Sequence, residues 1–522
     1  MKRIESLFKN NFIIAAVAGA FCNLAFAPFY FFTATIFSIA TFYFLLERIS
    51  NKKRVFLLGF FYGFGYFLAG IYWISISLLV DAEKFAWLVP FALTLIPAAL
   101  ALYFGLFALS YKSVIKKFGF SKVYEKTLAF TILWLFFEIL RSFLFTGFPW
   151  NLIGYAWMFN NDFAQVASVF GVFGLSFFAV LISLFPAIFF TFDSKKFRFT
   201  TPNFGKKIYA TIMVLITAIL LFYGHLRIDD KKIITHDNTK LRLVQANIKQ
   251  DLKWDARAKY NNLLKHIELT NSTSLDDIKV VIWSETSVPY IVDSNMELLN
   301  RLQLATPKDG ILISGGLRAE FSSQQEINNI WNSVFVFHQI NNRATMFSYY
   351  DKHHLVPFGE YVPLQKFLPF IDKITDGAVG FSQGDGPKTL QTAVFSFSPL
   401  LCYEAIFSSQ IIDKKNRPDL LVNLTNDAWF GNSSGPYQHF DMVRMRAIEY
   451  GISLARVANS GITAFIDPFG RVVKKIDLNQ EGIIDVAFIE SLPPTIYSRY
   501  GFLPLILLLI FSILFLIRKP KT

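Results

Sequence analysis

The chain has 522 residues, 53% of them hydrophobic and 17% aromatic, with 60 Phe and only two Cys. This lies outside ordinary soluble composition and points to a membrane protein. The net charge of +13 (51 Lys and Arg against 38 Asp and Glu) gathers in the connections between apolar runs, so it reads as membrane topology and not as nucleic-acid binding.

Apolar runs nearly free of charge fill residues 1–224 and 500–522, while 225–499 alternates apolar, charged and turn residues as a globular domain does. Crossing a hydrocarbon core takes about 20 apolar residues. Such runs begin near Phe12, Tyr30, Val55, Trp87, Thr127, Phe163 and Ile208, and an eighth covers 501–517. The expectation is a polytopic α-helical membrane domain of about eight spans, with seven or nine as the neighbouring counts. The first two runs nearly merge at "FAPFY", where Pro28 is the natural break.

Lys2, Arg3 and Lys9 before "AVAGA" also fit the start of a signal peptide, but several spans follow at once. Phe21 is a poor neighbour for a processed lipoprotein cysteine, so Cys22 reads as a small apolar helix residue. Lys and Arg cluster at 2–9, 48–54, 112–126, 195–207 and 518–521, on alternate connections, and 142–163 contains none. Positive residues stay on the cytoplasmic side, which places both termini there and 225–499 outside.

Glu138 and Arg141 lie three apart in the fifth run, on one helical face. Ionisable residues at membrane depth are costly and are functional candidates by default, here at a phospholipid head group; a structural pair near the helix end is the other reading. "TGFPW" then brings Trp150 toward the interface, where amphipathic rings commonly sit.

Beyond residue 225, strand-like runs at 241–248, 280–286, 311–317, 333–337 and 420–427 alternate with helical stretches such as 256–269 and 440–455. That order predicts an α/β domain with strands buried on both faces, and polar residues at strand ends as its site. Three stand there: Glu285 ends "VVIWSE", Lys352 lies in "YYDKHHLVPFGEYVP", and Cys402 follows "FSPLL". Cys402 is the lone thiol of this domain, so it has no disulfide partner there. A thiol needs a base or a nearby cation to become a nucleophile. A carboxylate and an ammonium supply a proton shuttle and an oxyanion partner. Each residue also has a plain reading, as a strand-end carboxylate, a solvated lysine and a packing cysteine. His353 and His354 read as loop polar groups, adjacent and not at ligand spacing, so no metal and no cofactor is expected.

With their flanks, these residues resemble the nitrilase, or carbon-nitrogen hydrolase, superfamily. "WSETSVP" looks like its base motif, "DKHHLVPFGEYVP" its lysine motif and "LLCYEAIF" its nucleophile motif. A domain of this kind, which the superfamily folds as an αββα sandwich, set between membrane spans is similar to one branch, the apolipoprotein N-acyltransferases. The likeness continues through "WLFFEILRSFLFTGFPWNLIGY", "VQANIKQDLKWD", "NLTNDAWFGNSSGPYQHF", "RMRAIE", "NSGITAFIDPFG" and "YSRYGFLPL". The resemblance implies an inner-membrane enzyme with a periplasmic catalytic domain. Cys402 would take an acyl chain from a phospholipid as a thioester and pass it to the α-amino group of a diacylglyceryl apolipoprotein. Glu285 would be the base and Lys352 the oxyanion stabiliser, aided by the backbone N–H of Tyr403. Glu360 and Glu404 match supporting carboxylates, and Trp254 a mobile-loop aromatic linked to substrate entry. Residues 361–370 and "NDAWFG" are the expected lids over a thioester. A membrane-anchored amidase would use the same triad with water as acceptor, and a transporter with an inert external domain would not need Cys402.

Overall fold

The computed structural model describes residues 2–193, 196–255, 257–292, 296–324, 326–340, 343–363 and 380–518. The chain divides into two compact units: Met1–Ser75, Lys84–Ile228 and Thr495–Thr522 in one, Ile76–Glu83 and Asp229–Pro494 in the other.

The first unit is helical, and each expected apolar run falls on a helix: Lys2–Cys22, Thr33–Glu47, Lys52–Ile71, Val89–Phe118, Val123–Phe143, Ala167–Ser183, Phe204–Arg227 and Leu503–Ile517. Pro28 lies in the break between the first two. Among the described residues, four helical stretches are long and apolar enough to cross a membrane: Lys52–Ile71, Ala82–Phe118, Ala167–Ile188 and Phe204–Arg227. Asn11–Ala25, Thr33–Glu47 and Leu503–Ile517 are apolar but shorter. Val123–Phe143 has the length, yet Glu125, Lys126, Glu138 and Arg141 interrupt its apolar character.

Glycine sets the closest packing in this unit. A Cβ at Gly19 would stand 2.0 Å from the Tyr62 carbonyl oxygen, and one at Gly65 1.9 Å from that of Ala16. Lys2–Cys22 and Lys52–Ile71 therefore meet backbone to backbone, the arrangement helices adopt where lipid supplies no hydrophobic drive for association. On the outside, Val214, Ile219 and Phe222 of one helix and Leu507, Phe511 and Leu514 of another are each more than half exposed. Apolar surface on this scale fits a lipid surrounding better than water.

The second unit is built on two sheets. The seven-stranded sheet runs Gly482–Ile489, Thr235–Gln245, Ile278–Ile282, Ile311–Phe321, Ile327–Ile340, Arg343–Asp351, with Val288–Ile291 beside Ile311–Phe321. The six-stranded sheet runs Val472–Ile476, Thr463–Ile466, Ser453–Asn459, Leu420–Asn426, Ser396–Leu401, Leu390–Gln391. Leu241, Val280, Ile313 and Val336 of the first sheet share one core with Leu401, Val422, Val457 and Phe465 of the second. On the outer face of the first sheet, Leu263 and Ile267 of helix Lys259–Thr270 pack with Val281, Trp283 and Phe335. Helix Gly435–Tyr450 lies against Ser453–Asn459 and the turn Cys402–Ile406. The layers are therefore helix, sheet, sheet, helix. Every residue of Ser396–Leu401, Leu420–Asn426 and Ser453–Asn459 is buried, as expected for strands covered on both faces.

Candidate active site

Glu285, Lys352 and Cys402 each leave the C-terminal end of a strand. Glu285 follows Ile278–Ile282, which pairs in parallel with Ile311–Phe321. At Gly315 of that neighbour a Cβ would be 2.4 Å from the Thr286 nitrogen and 2.7 Å from the Glu285 Cα. The absent side chain lets the chain turn sharply at Glu285, and Thr286 takes a left-handed φ of 48°. Lys352 follows Arg343–Asp351; its N–H donates to the Asn332 carbonyl at 2.9 Å and its carbonyl accepts from Gly384 at 2.8 Å. Cys402 follows Ser396–Leu401 with φ of 49° and opens the turn Cys402–Ile406. A non-glycine residue in that region is strained, and such strain clusters at functional sites.

The lysine sits between two carboxylates. Its Nζ donates to Glu360 Oε1 at 2.9 Å and lies 3.8 Å from Glu285 Oε1. All three are buried. Asn332 Nδ2 reaches both acids, at 2.8 Å to Glu285 and 3.3 Å to Glu360. Glu360 Oε2 also accepts from the Val356 N–H at 2.9 Å, which pins its loop. Burial opposes the Lys352 charge, but Glu360 and Glu285 outweigh it and hold the ammonium well above the ordinary lysine range. Burial and the Glu285 carboxylate push the Cys402 thiol up to about 12, with Lys352 pulling the other way. The resting site thus holds a thiol that must give its proton to a base, and a fixed cation able to stabilise an oxyanion.

Glu404 supports the turn that Cys402 opens. Its Oε2 accepts from the Leu401 N–H at 2.8 Å, and its Oε1 from the His353 N–H at 2.7 Å and the Tyr350 hydroxyl at 2.9 Å. Burial disfavours its charge, yet the His353 imidazole at 2.7 Å and the Leu401 N–H overcome this and lower its pKa. Burial also opposes charge on His353, and Glu404 outweighs it, so His353 is raised. His353, read from sequence as a loop polar group, is therefore a buried partner of Glu404. Tyr403 is half-buried, its ring edge-on to Phe407 at 5.1 Å.

Behind Cys402, Asp427 of the "NDAWFG" segment is buried, ion-paired to Arg456 and 3.0 Å from His439 Nδ1; His439 Nε2 lies 3.3 Å from the Cys402 carbonyl oxygen. Burial works against its charge, but Arg456 and His439 hold Asp427 at about 2. The start of this expected lid is consequently anchored. The other expected lid, 361–370, lies outside the described residues beyond Pro363. Trp254 is half-buried, with the Lys259 ammonium 5.6 Å from its ring centre.

Glu138, Arg141 and Trp150 belong to the helical unit. Glu138 Oε1 accepts from the Ile153 N–H at 2.9 Å and the Trp134 indole at 3.1 Å. Arg141 donates to the carbonyls of Phe148 and, at 2.7 Å, Trp150. Both side chains reach the returning segment 148–153, and Glu138 also meets the Trp134 indole of its own helix. Trp150 does not present its ring at a surface: it is 1% exposed and packs 4.5 Å from Trp73, because Arg141 draws its backbone inward. Asn332 and Lys253, whose Nζ donates to the Glu285 carbonyl oxygen at 2.8 Å, were not singled out in the sequence. Among the described residues, no group of three or more His, Cys, Asp or Glu side chains is placed to hold a metal ion.

Two facing sheets thus lie between helices, with Glu285, Lys352 and Cys402 at strand ends. Residues 240–491 match the carbon-nitrogen hydrolase family and residues 18–185 the apolipoprotein N-acyltransferase N-terminal domain. An apolipoprotein N-acyltransferase of Rickettsia prowazekii is 37% identical over 504 residues, covering 96% of this chain and 97% of its own. One from Rhodopseudomonas palustris is 35% identical, covering 97% and 95%. A crystal structure of a CN-hydrolase superfamily protein from Xanthomonas campestris aligns with 48% of this chain and 90% of its own, at 18% identity and a TM-score of 0.34. The chain belongs to the apolipoprotein N-acyltransferase family, and it is an N-acyltransferase.

Proposed function

We propose that the enzyme transfers a fatty acyl chain from a membrane phospholipid to the α-amino group of the N-terminal S-diacylglyceryl cysteine of apolipoproteins. Glu285 takes the Cys402 proton as sulfur attacks the phospholipid ester carbonyl. The oxyanion forms against the Lys352 ammonium and a backbone N–H such as that of Tyr403. Collapse of the tetrahedral intermediate expels the glycerol alkoxide, which takes the proton from Glu285 and leaves as a lysophospholipid. The acceptor amine then attacks the thioester, Glu285 receives the ammonium proton, and the returning thiolate recovers it.

The observation that carries this reading is the Lys352 ammonium held between Glu285 and Glu360 beside a buried, strained thiol. Glu360 fixes the lysine, so Glu285 stays available as base. Glu404 and Tyr403 shape the nucleophile turn, and Trp254 belongs to the substrate path. Glu138 and Arg141 hold the segment that carries Trp150. Residues 1–224 form the membrane domain, 225–499 the catalytic domain and 500–522 a final span with its tail. Eight spans with both termini cytoplasmic would place the site on the periplasmic side of the inner membrane, where both lipid-anchored substrates meet in two dimensions. Neither nucleic acid nor a cofactor has a part in this chemistry.

The test is intact-protein mass spectrometry of wild type and Cys402→Ala with phospholipid vesicles, followed by a diacylglyceryl-cysteine peptide. An acyl mass on Cys402 that moves to the peptide amine is expected. Transfer to water alone would make the protein a hydrolase, and activity without Cys402 would remove the nucleophile.

A further inference from the structure

Lys253 ends the helical turn Gln250–Lys253, one residue before Trp254. Its side chain is 5% exposed, and its ammonium is donated to the Glu285 carbonyl oxygen at 2.8 Å. An ammonium buried this way is costly and persists only where something holds it. Burial pulls Lys253 down to about 8, while Glu285 and Cys402 both favour its charged form. The imidazole of His266 lines the same small cavity, of about 10 Å³, together with Glu285 and Asn459.

The segment before Lys253 is strapped to the strand ends. The Asn459 side chain bonds both the N–H of Ile248 at 2.9 Å and its carbonyl at 2.8 Å. Asn426 Nδ2 donates to Gln250 Oε1 at 2.7 Å, and Asn459 Nδ2 donates to Asn426 Oδ1 at 3.0 Å. Asn426 and Asn459 end the strands Leu420–Asn426 and Ser453–Asn459, the first of which pairs with the strand leading to Cys402. The strap therefore spans from the nucleophile's sheet to the backbone of the general base. The peptide after Glu285 is the one that must be held, since Thr286 carries the left-handed φ. A charge-assisted bond to that carbonyl fixes the plane from which the Glu285 side chain departs.

We propose that Lys253 is a positioning residue of the acyl-transfer reaction, setting the direction of Glu285 through its carbonyl oxygen and tying the Trp254 segment to the base. This rests on the Glu285, Lys352 and Cys402 reading given above.

The experiment uses the full-length protein as wild type, Lys253→Met and the charge-keeping Lys253→Arg. Two rates are read by mass spectrometry on the Cys402 peptide: alkylation by iodoacetamide at pH 7, which needs only thiol and base, and acylation from phosphatidylethanolamine vesicles. Melting temperature is followed for each variant. Lys253→Met should lower both rates on the order of 10- to 100-fold, the usual effect of a misplaced catalytic group, with Lys253→Arg recovering most of the loss. Wild-type rates in Lys253→Met overturn the proposal. So does a loss that Lys253→Arg does not recover while its melting temperature stays at the wild-type value. A Lys253-dependent alkylation rate without any acylation supports the positioning role and sinks the phospholipid donor instead.

Discussion

In the helical unit Glu138 and Arg141 are buried and turn to the backbone, whereas in the α/β unit Glu285, Glu360 and Lys352 are buried and turn to one another. The first arrangement satisfies carbonyls and N–H groups of a returning loop, and a proton moved there would only loosen it. The second leaves charge balanced among side chains, so a proton moved from a thiol to Glu285 is compensated by the neighbouring ammonium. Burial of ionisable groups alone does not separate structure from chemistry; the identity of the partner does.

The sharpest way to break this contrast is Lys352→Met. It leaves two buried carboxylates without their cation, so unfolding stability should fall by about 3–5 kcal/mol. Thioester formation should drop on the order of 10²–10³-fold. Denaturant unfolding and the acyl-adduct assay check the two parts separately. An adduct rate near wild type would show that the cation between the acids is structural.

Arg141→Met tests the other half. The carbonyls of Phe148 and Trp150 lose their donor, at about 1–3 kcal/mol each. The melting temperature in detergent should fall while iodoacetamide labelling of Cys402 holds at the wild-type rate. Slower labelling would give Arg141 a chemical role.

A smaller effect is expected at His353, whose raised pKa makes the sign definite. Its pairing with Glu404 contributes fully below the unfolded histidine value of about 6.5 and is lost as pH rises through the higher folded value. Glu404, lowered, contributes above the unfolded value of about 4.3 and loses its contribution as pH falls through the lower folded one. The stability gap between wild type and His353→Gln should therefore be widest between about pH 4.3 and 6.5 and narrow on the alkaline side. A gap flat across pH 5–9 in thermal melts would mean the pair is not ionic. Smallest of all, Glu138→Gln keeps an acceptor for the Ile153 N–H and should cost about 1 kcal/mol in thermal or denaturant melts, with no change in labelling.

Glu285, Lys352 and Cys402 were legible as candidates because each stands at the end of an apolar run with distinctive flanks. The apolar runs were legible for the same reason that helices cross lipid: length and absence of charge. Contacts across long stretches of chain were not. Asn332 meets Glu285 from 47 residues away, and inside "NNIWNSVFVF" it reads as an ordinary strand residue. Lys253 lies in the quoted "LKWD", yet nothing local says that its ammonium ends on a strand-end carbonyl. Glu138 and Arg141 share one helical face, but apart from the Trp134 indole their partners are main-chain groups 7–15 residues on, which carry no side-chain signal.

The left-handed backbone at Cys402 also bears on how such a protein can change over generations. That conformation costs an ordinary residue roughly 1–2 kcal/mol and glycine almost nothing. Glycine usually destabilises relative to alanine by roughly 0.5–1 kcal/mol in a helix or strand, and here the order should reverse, with Cys402→Gly melting above Cys402→Ala. On the reading that Cys402 carries the acyl chain, a lineage released from that reaction has an inert replacement one codon change away that relieves the left-handed strain. On that reading the thiol stays at a strained position because its chemistry is selected.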